Sequence, residues 1–86
     1  MQTERSIGET MYVTRINLKD LDEQARKNVI NVAAFCEHRD STFIFEVKDH
    51  TLIIKSRDRD QAMKRGSYFH LKFPQLYYNV EKTADS

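Results

Sequence analysis

The stretch Thr42–Ser56, TFIFEVKDHTLIIKS, alternates between apolar and polar positions on both sides of a central pair. Phe43, Phe45 and Val47 alternate with Ile44, Glu46 and Lys48. Beyond Asp49-His50, Leu52 and Ile54 alternate with Ile53 and Lys55. Successive side chains of a strand point to opposite faces, so each run can present one apolar face. With Asp49-His50 as a two-residue turn, Val47 stands opposite Leu52, Phe45 opposite Ile54 and Glu46 opposite Ile53. That register gathers the aromatic residues and most aliphatic ones on one face. Asp and His tolerate the positive φ such a turn needs better than most residues do. A hairpin with one apolar face requires a cover, and the cover decides the fold class.

The residues upstream supply it. From Asp20 to His38, Leu21, Ala25, Val29, Val32, Phe35 and Cys36 fall on one stripe at about 100° per residue, with Glu23, Arg26, Lys27 and Glu37 outside it. Ile30 and Ala34 project from the charged side. Asn17 reads as the N-cap, with Ile16 and Leu21 at staple spacing; Asp20 with Glu23 offers a second cap. Arg39-Asp40-Ser41 then breaks the pattern. Before the helix, Thr10–Leu18 contains Tyr12, Val13, Thr14 and Ile16 and reads as the first strand.

Downstream, Arg57–Gly66 reads equally as a short helix with Gly66 as its C-cap or as a polar loop. Ser67–Phe73 alternates again, with Phe69, Leu71 and Phe73 on one side and Tyr68, His70 and Lys72 on the other. It reads as a strand ended by Pro74, and Leu76–Val80 as a short edge strand or a turn of helix. The expectation is an α+β protein: one long amphipathic helix on a small, mostly antiparallel sheet of three to five strands, in the order β-α-β-β-(short α or loop)-β. A ferredoxin-like arrangement has this order, provided its second helix is much shorter than the first. A meander of the last three strands under the long helix is the competing layout.

The 86 residues suffice for one domain. We expect it over 10–80, with a flexible lead-in over 1–9 and a flexible tail over 81–86. About a dozen large apolar side chains make a small core, which dimerisation could supplement. Fourteen Lys and Arg against thirteen Asp and Glu exclude a strongly basic nucleic-acid arm and a strongly acidic mimic. One cysteine excludes an internal disulfide, and no apolar run approaches the ~18 residues of a membrane span. The N-terminus lacks a signal-peptide core, so a cytoplasmic protein is expected.

No catalytic constellation stands out. On a helix, Cys36 and His38 diverge by about 200°, and Cys36 lies on the apolar stripe, where a thiol packs as a small hydrophobe. His38, His50 and His70 match no compact ligand spacing, so neither metal nor cofactor is expected. Asp58 and Asp60 sit among Lys55, Arg57 and Arg59, which hold carboxylates ionised rather than poised for proton transfer. Gly8 and Gly66 stand alone, without a phosphate loop.

Two features remain. Lys55, Arg57, Arg59, Lys64, Arg65 and Lys72 are six cations against Asp58 and Asp60, a local excess of four. Tyr68, Phe69, Phe73, Tyr77 and Tyr78 fall within eleven residues. Cations beside aromatic rings can grip single-stranded nucleic acid, and tyrosines are enriched in protein interfaces. Met11–Leu18, MYVTRINL, and Arg65-Gly66-Ser67-Tyr68-Phe69 resemble the two signature strings of the RNA-recognition motif. Ser67 stands where that family has an aromatic, and the thirteen residues after Phe73 cannot supply its second helix and fourth strand, so the resemblance is not adopted. The sequence predicts a non-enzymatic module, a regulator or inhibitor docking on another protein. The contact face is expected to carry Tyr68, His70, Lys72, Tyr77 and Tyr78, with Arg57, Arg59, Lys64 and Arg65 at its rim. Nucleic-acid binding by the same cations is the alternative.

Overall fold

The computed structural model describes residues 11–83. Asp49 and His50 have φ of 51° and 61°, the left-handed pair of a type I′ turn. They join β2 (Ile44–Lys48) to β3 (Thr51–Ser56) in the expected register, Val47 opposite Leu52, Glu46 opposite Ile53 and Phe45 opposite Ile54. β3 pairs antiparallel with β1 (Met11–Asn17), and β1 pairs antiparallel with β4 (Tyr78–Thr83). The sheet order is β2-β3-β1-β4.

Two helices cross between these strands, α1 (Glu23–Arg39) from β1 to β2 and α2 (Arg59–Lys72) from β3 to β4. Each helix links two strands that flank a third, which is the ferredoxin-like split β-α-β arrangement. The protein is therefore α+β with a four-stranded antiparallel sheet, and the single long helix expected becomes two, of 17 and 14 residues. The meander is not formed.

The correction centres on 59–72. Alternation at Phe69, Leu71 and Phe73 suggested a strand, but Ala62, Gly66 and Phe69 share one buried helical face and Phe73 packs against the core below them. Leu71, which breaks that helical phase, is 80% exposed. Asp58 caps the helix by accepting from the Gln61 amide at 2.8 Å, and Phe73 with Pro74 ends it. Gly66 is thus an interior residue rather than a C-cap. The string Arg65–Phe69 lies on this helix, which removes its likeness to a strand signature.

Smaller shifts have similar causes. α1 starts at Asp22, whose carboxylate accepts from the Ala25 amide at 2.7 Å, whereas Asn17 closes a turn onto Lys19. Its buried face turns toward Ala33, half-buries Ile30 and leaves Phe35 55% exposed, although the stripe predicted Phe35 inside. The core lies between helices and sheet, with Ile16, Leu18, Val29, Phe43, Leu52, Ile54, Phe69 and Leu76 buried together. Thr14, fully buried on the central strand, donates to the Ala62 carbonyl at 2.9 Å and ties β1 to α2. β4 runs to Thr83, three residues into the segment expected as a tail; the expected lead-in lies outside the described residues. Among the described residues, no helix is long and apolar enough to cross a membrane.

Candidate functional site

Phe35 and Arg39 stand one turn apart near the C-terminal end of α1, facing the side of α2 that carries Gln61, Lys64, Arg65 and Tyr68. With Cys36, Asp40 and Phe43 they line a groove of about 400 Å³ between the helices. Its walls are aromatic: Phe35 is 55% exposed and Tyr68 39%. A cation lies over each ring, Arg39 at 5.5 Å from the Phe35 centroid and Lys72 at 5.4 Å from that of Tyr68. Tyr68 is also held edge-on against the buried Phe69 ring at 5.6 Å.

Arg65 forms the groove's base and is only 9% exposed. Its guanidinium lies over the Phe43 ring at 5.1 Å. It donates to the Lys55 carbonyl, to Ser56 Oγ at 3.2 Å and to Thr42 Oγ1 at 3.1 Å, and it pairs with Asp40 at 3.4 Å. One planar donor set thereby fastens α2 to β3 and to the α1–β2 loop. Hydrogen bonds from the Thr42 hydroxyl and amide, aided by the Arg65 charge, hold the Asp40 carboxyl below its ordinary value of 3.8. Asp40 is thus committed within the fold.

The residues predicted to share one face are divided by the helix. Tyr68 and Lys64 line the groove, and Lys72 reaches it through the Tyr68 ring. Arg57 and Arg59 are exposed at the entry to α2, and Arg59 shares an adjoining cleft with Gln61 and Lys64. His70 lies about 200° around the helix from Tyr68. Its Nδ1 donates to the Leu76 carbonyl, and its ring leans on Tyr77 at 5.4 Å. Tyr77 is 77% exposed, beside Arg15, Asn17 and Thr51. Tyr78 packs against Gly66, with its hydroxyl 2.9 Å from Ser67 Oγ. Arg65 and Tyr78 are therefore framework residues rather than a free rim and a free contact.

The basic cluster is likewise distributed. Lys55 lies on the opposite face of the sheet with Glu46 at 3.9 Å, and Arg65 is turned inward, which leaves Arg57, Arg59, Lys64 and Lys72 outermost. Sequence reasoning missed Phe35 and Arg39 because the helical stripe assigned Phe35 to the core. The cation four residues after it was the available signal. Cys36 lines the groove, but no histidine does. Among the described residues, no cluster of three or more His, Cys, Asp or Glu side chains is arranged to hold a metal.

No protein-family model matches the chain, and a search of curated proteins finds no significant relative.

Proposed function

We propose that the chain is a small, non-enzymatic protein-binding module, a regulator or inhibitor that docks on another protein through the groove between α1 and α2. One observation carries the reading. Two aromatic rings from different helices are left exposed in one concave site, each with a cation over it. A core of this size gains from burying every ring it has, at roughly 1.5–3 kcal/mol for a full burial. Exposed rings at the centre of a groove match the aromatic and arginine anchors that dominate protein interfaces. The proposed contact keeps Tyr68, Lys64 and Lys72 from the sequence reading and adds Phe35 and Arg39.

The nucleic-acid alternative has weaker support, because Arg65 is buried on Asp40 and Lys55 pairs with Glu46 on the other face of the sheet. The test is capture from the native lysate, after nuclease, on wild-type protein and on Phe35→Ser/Tyr68→Ser. Circular dichroism of both proteins serves as the control for folding. A stoichiometric protein partner held by the wild type and lost by the variant is expected. Equal capture by both removes the groove from the contact, and recovery of nucleic acid alone favours the alternative.

A further inference from the structure

We propose that the groove takes a short acidic segment of the partner protein, anchored by one aromatic or branched aliphatic side chain between Phe35 and Tyr68. Its carboxylates would meet Arg39 and Lys64. This inference rests on the docking role above and adds the chemistry of the occupant.

Charge complementarity carries it. The lining holds three cations, Arg39, Lys64 and Arg65, and one carboxylate, Asp40. Asp40 is committed to Arg65 and Thr42, so the pair cancels at the base of the groove. Arg39 and Lys64 remain at its mouth with no ion pair among the described residues. The whole chain carries only +1, so this excess is local rather than a share of a general positive field.

The cation–ring contacts sharpen the requirement. Arg39 lies over Phe35 and Lys72 over Tyr68, so a partner that closes over the rings also draws these cations out of water. Burying an unpaired charge is costly, and a neutral or basic occupant would leave these unpaired. An acidic occupant pairs them while its apolar anchor fills the space between the rings.

The shape favours a chain segment over a compact anionic ligand. Leu71 is 80% exposed one turn beyond Tyr68 on the same side of α2, which extends the apolar surface out of the groove. A compact ligand seated between the rings would leave Leu71 bare. A segment lying along the helix would cover it, in the manner of an amphipathic peptide in a helical groove.

The test pans a random twelve-residue peptide library on the full chain. The tightest synthetic peptide is then measured by fluorescence polarisation on three proteins: wild type, Phe35→Ser/Tyr68→Ser, and Arg39→Glu/Lys64→Glu. Enriched peptides should place Asp or Glu within a few residues of an aromatic or branched aliphatic side chain. The charge-reversed protein should bind about tenfold more weakly, and exchanging the peptide's acids for lysines should restore its binding. Enrichment of neutral or basic peptides, or equal affinity for the charge-reversed protein, overturns the acidic occupant. So does a concentration-dependent dimer, seen by sedimentation and abolished by Phe35→Ser/Tyr68→Ser, because the occupant is then a second copy. Lysate capture separates the two levels. A partner lost with Phe35→Ser/Tyr68→Ser but kept by Arg39→Glu/Lys64→Glu leaves docking standing and removes the acidic segment. A partner kept by both variants removes the groove from the contact.

Discussion

Gly66 sits in the middle of α2, where glycine ordinarily costs about 1 kcal/mol relative to alanine. Its place is explained by Tyr78: a Cβ at position 66 would come within 2.7 Å of three carbons of that ring. Gly66→Ala should therefore destabilise the protein by roughly 1–3 kcal/mol in urea unfolding, because overpacking outweighs the gain in helix propensity. In a Tyr78→Ala background the same change should turn neutral or stabilising, which isolates the ring as the cause. Arg65 is the second residue on which the helix layer depends, and Asp40 links it to pH. The Asp40 carboxyl is held below its ordinary value of 3.8 by Thr42 and Arg65, so folding favours its charged form. Its stabilising contribution is present at neutral pH and fades as pH falls below 3.8 through the lower folded value. The stability difference between wild type and Asp40→Asn should accordingly shrink through the acid range, as urea midpoints measured at successive pH values would reveal.

The elements begin and end on local chemistry. Asp22 and Asp58 each satisfy an otherwise orphaned amide in the first turn of a helix, at 2.7 and 2.8 Å. Replacing either by alanine should cost about 1 kcal/mol in thermal or urea unfolding. The β2–β3 turn rests on backbone conformation at His50, where φ is 61°. Its carbonyl accepts from the Leu18 amide at 2.8 Å, and its ring accepts from Arg26 at 3.1 Å. His50→Gly keeps the carbonyl and relieves the left-handed strain, so its stability should stay within about 0.5 kcal/mol of wild type. His50→Val forces a β-branched residue into that conformation and should lose roughly 1–3 kcal/mol. If the two variants are equally destabilised, the ring contact with Arg26 matters more than the backbone.

In the molecule as a whole, the first strand lies in the sheet interior and the last strand closes one side. β1 is hydrogen-bonded on both edges, to β3 and β4, and α2 crosses above it. Deleting residues 78–86 would bare one edge of β1 and remove the Tyr78 ring from the face of α2. The shortened chain should lose its cooperative thermal transition rather than melt a few degrees lower, as circular dichroism and proteolysis would record. The groove depends on the same assembly. α1 brings Phe35 and Arg39, α2 brings Lys64 and Tyr68, and Arg65 ties α2 to β3 and to the α1–β2 loop. The groove side chains should nevertheless be dispensable for the fold, so Phe35→Ser/Tyr68→Ser should still unfold cooperatively, at a lower midpoint because Tyr68 gives up its packing on Phe69.

Some of this was legible in the chain alone, and the reason is range. The β2–β3 hairpin could be read to the residue, since a period of two and a two-residue turn leave one register that gathers Phe45, Val47, Leu52 and Ile54 on one face. α1 was legible as an element because its apolar spacing persists for several turns, though its rotation was not. That rotation depends on how Val29 and Ala33 seat on the sheet, and it moved Phe35 from the expected core to the groove. Residues 67–73 satisfied two periods at once, with Phe69 and Phe73 common to both. Burial of Gly66 against Tyr78, twelve positions away, favours the helix, and no local pattern contains that contact. The cations and aromatic residues of the final third were visible as composition. Their division between a buried Arg65, a packed Tyr78 and an exposed Tyr68 was a tertiary outcome, because a helix turns neighbours about 100° apart where a strand would have aligned alternate ones.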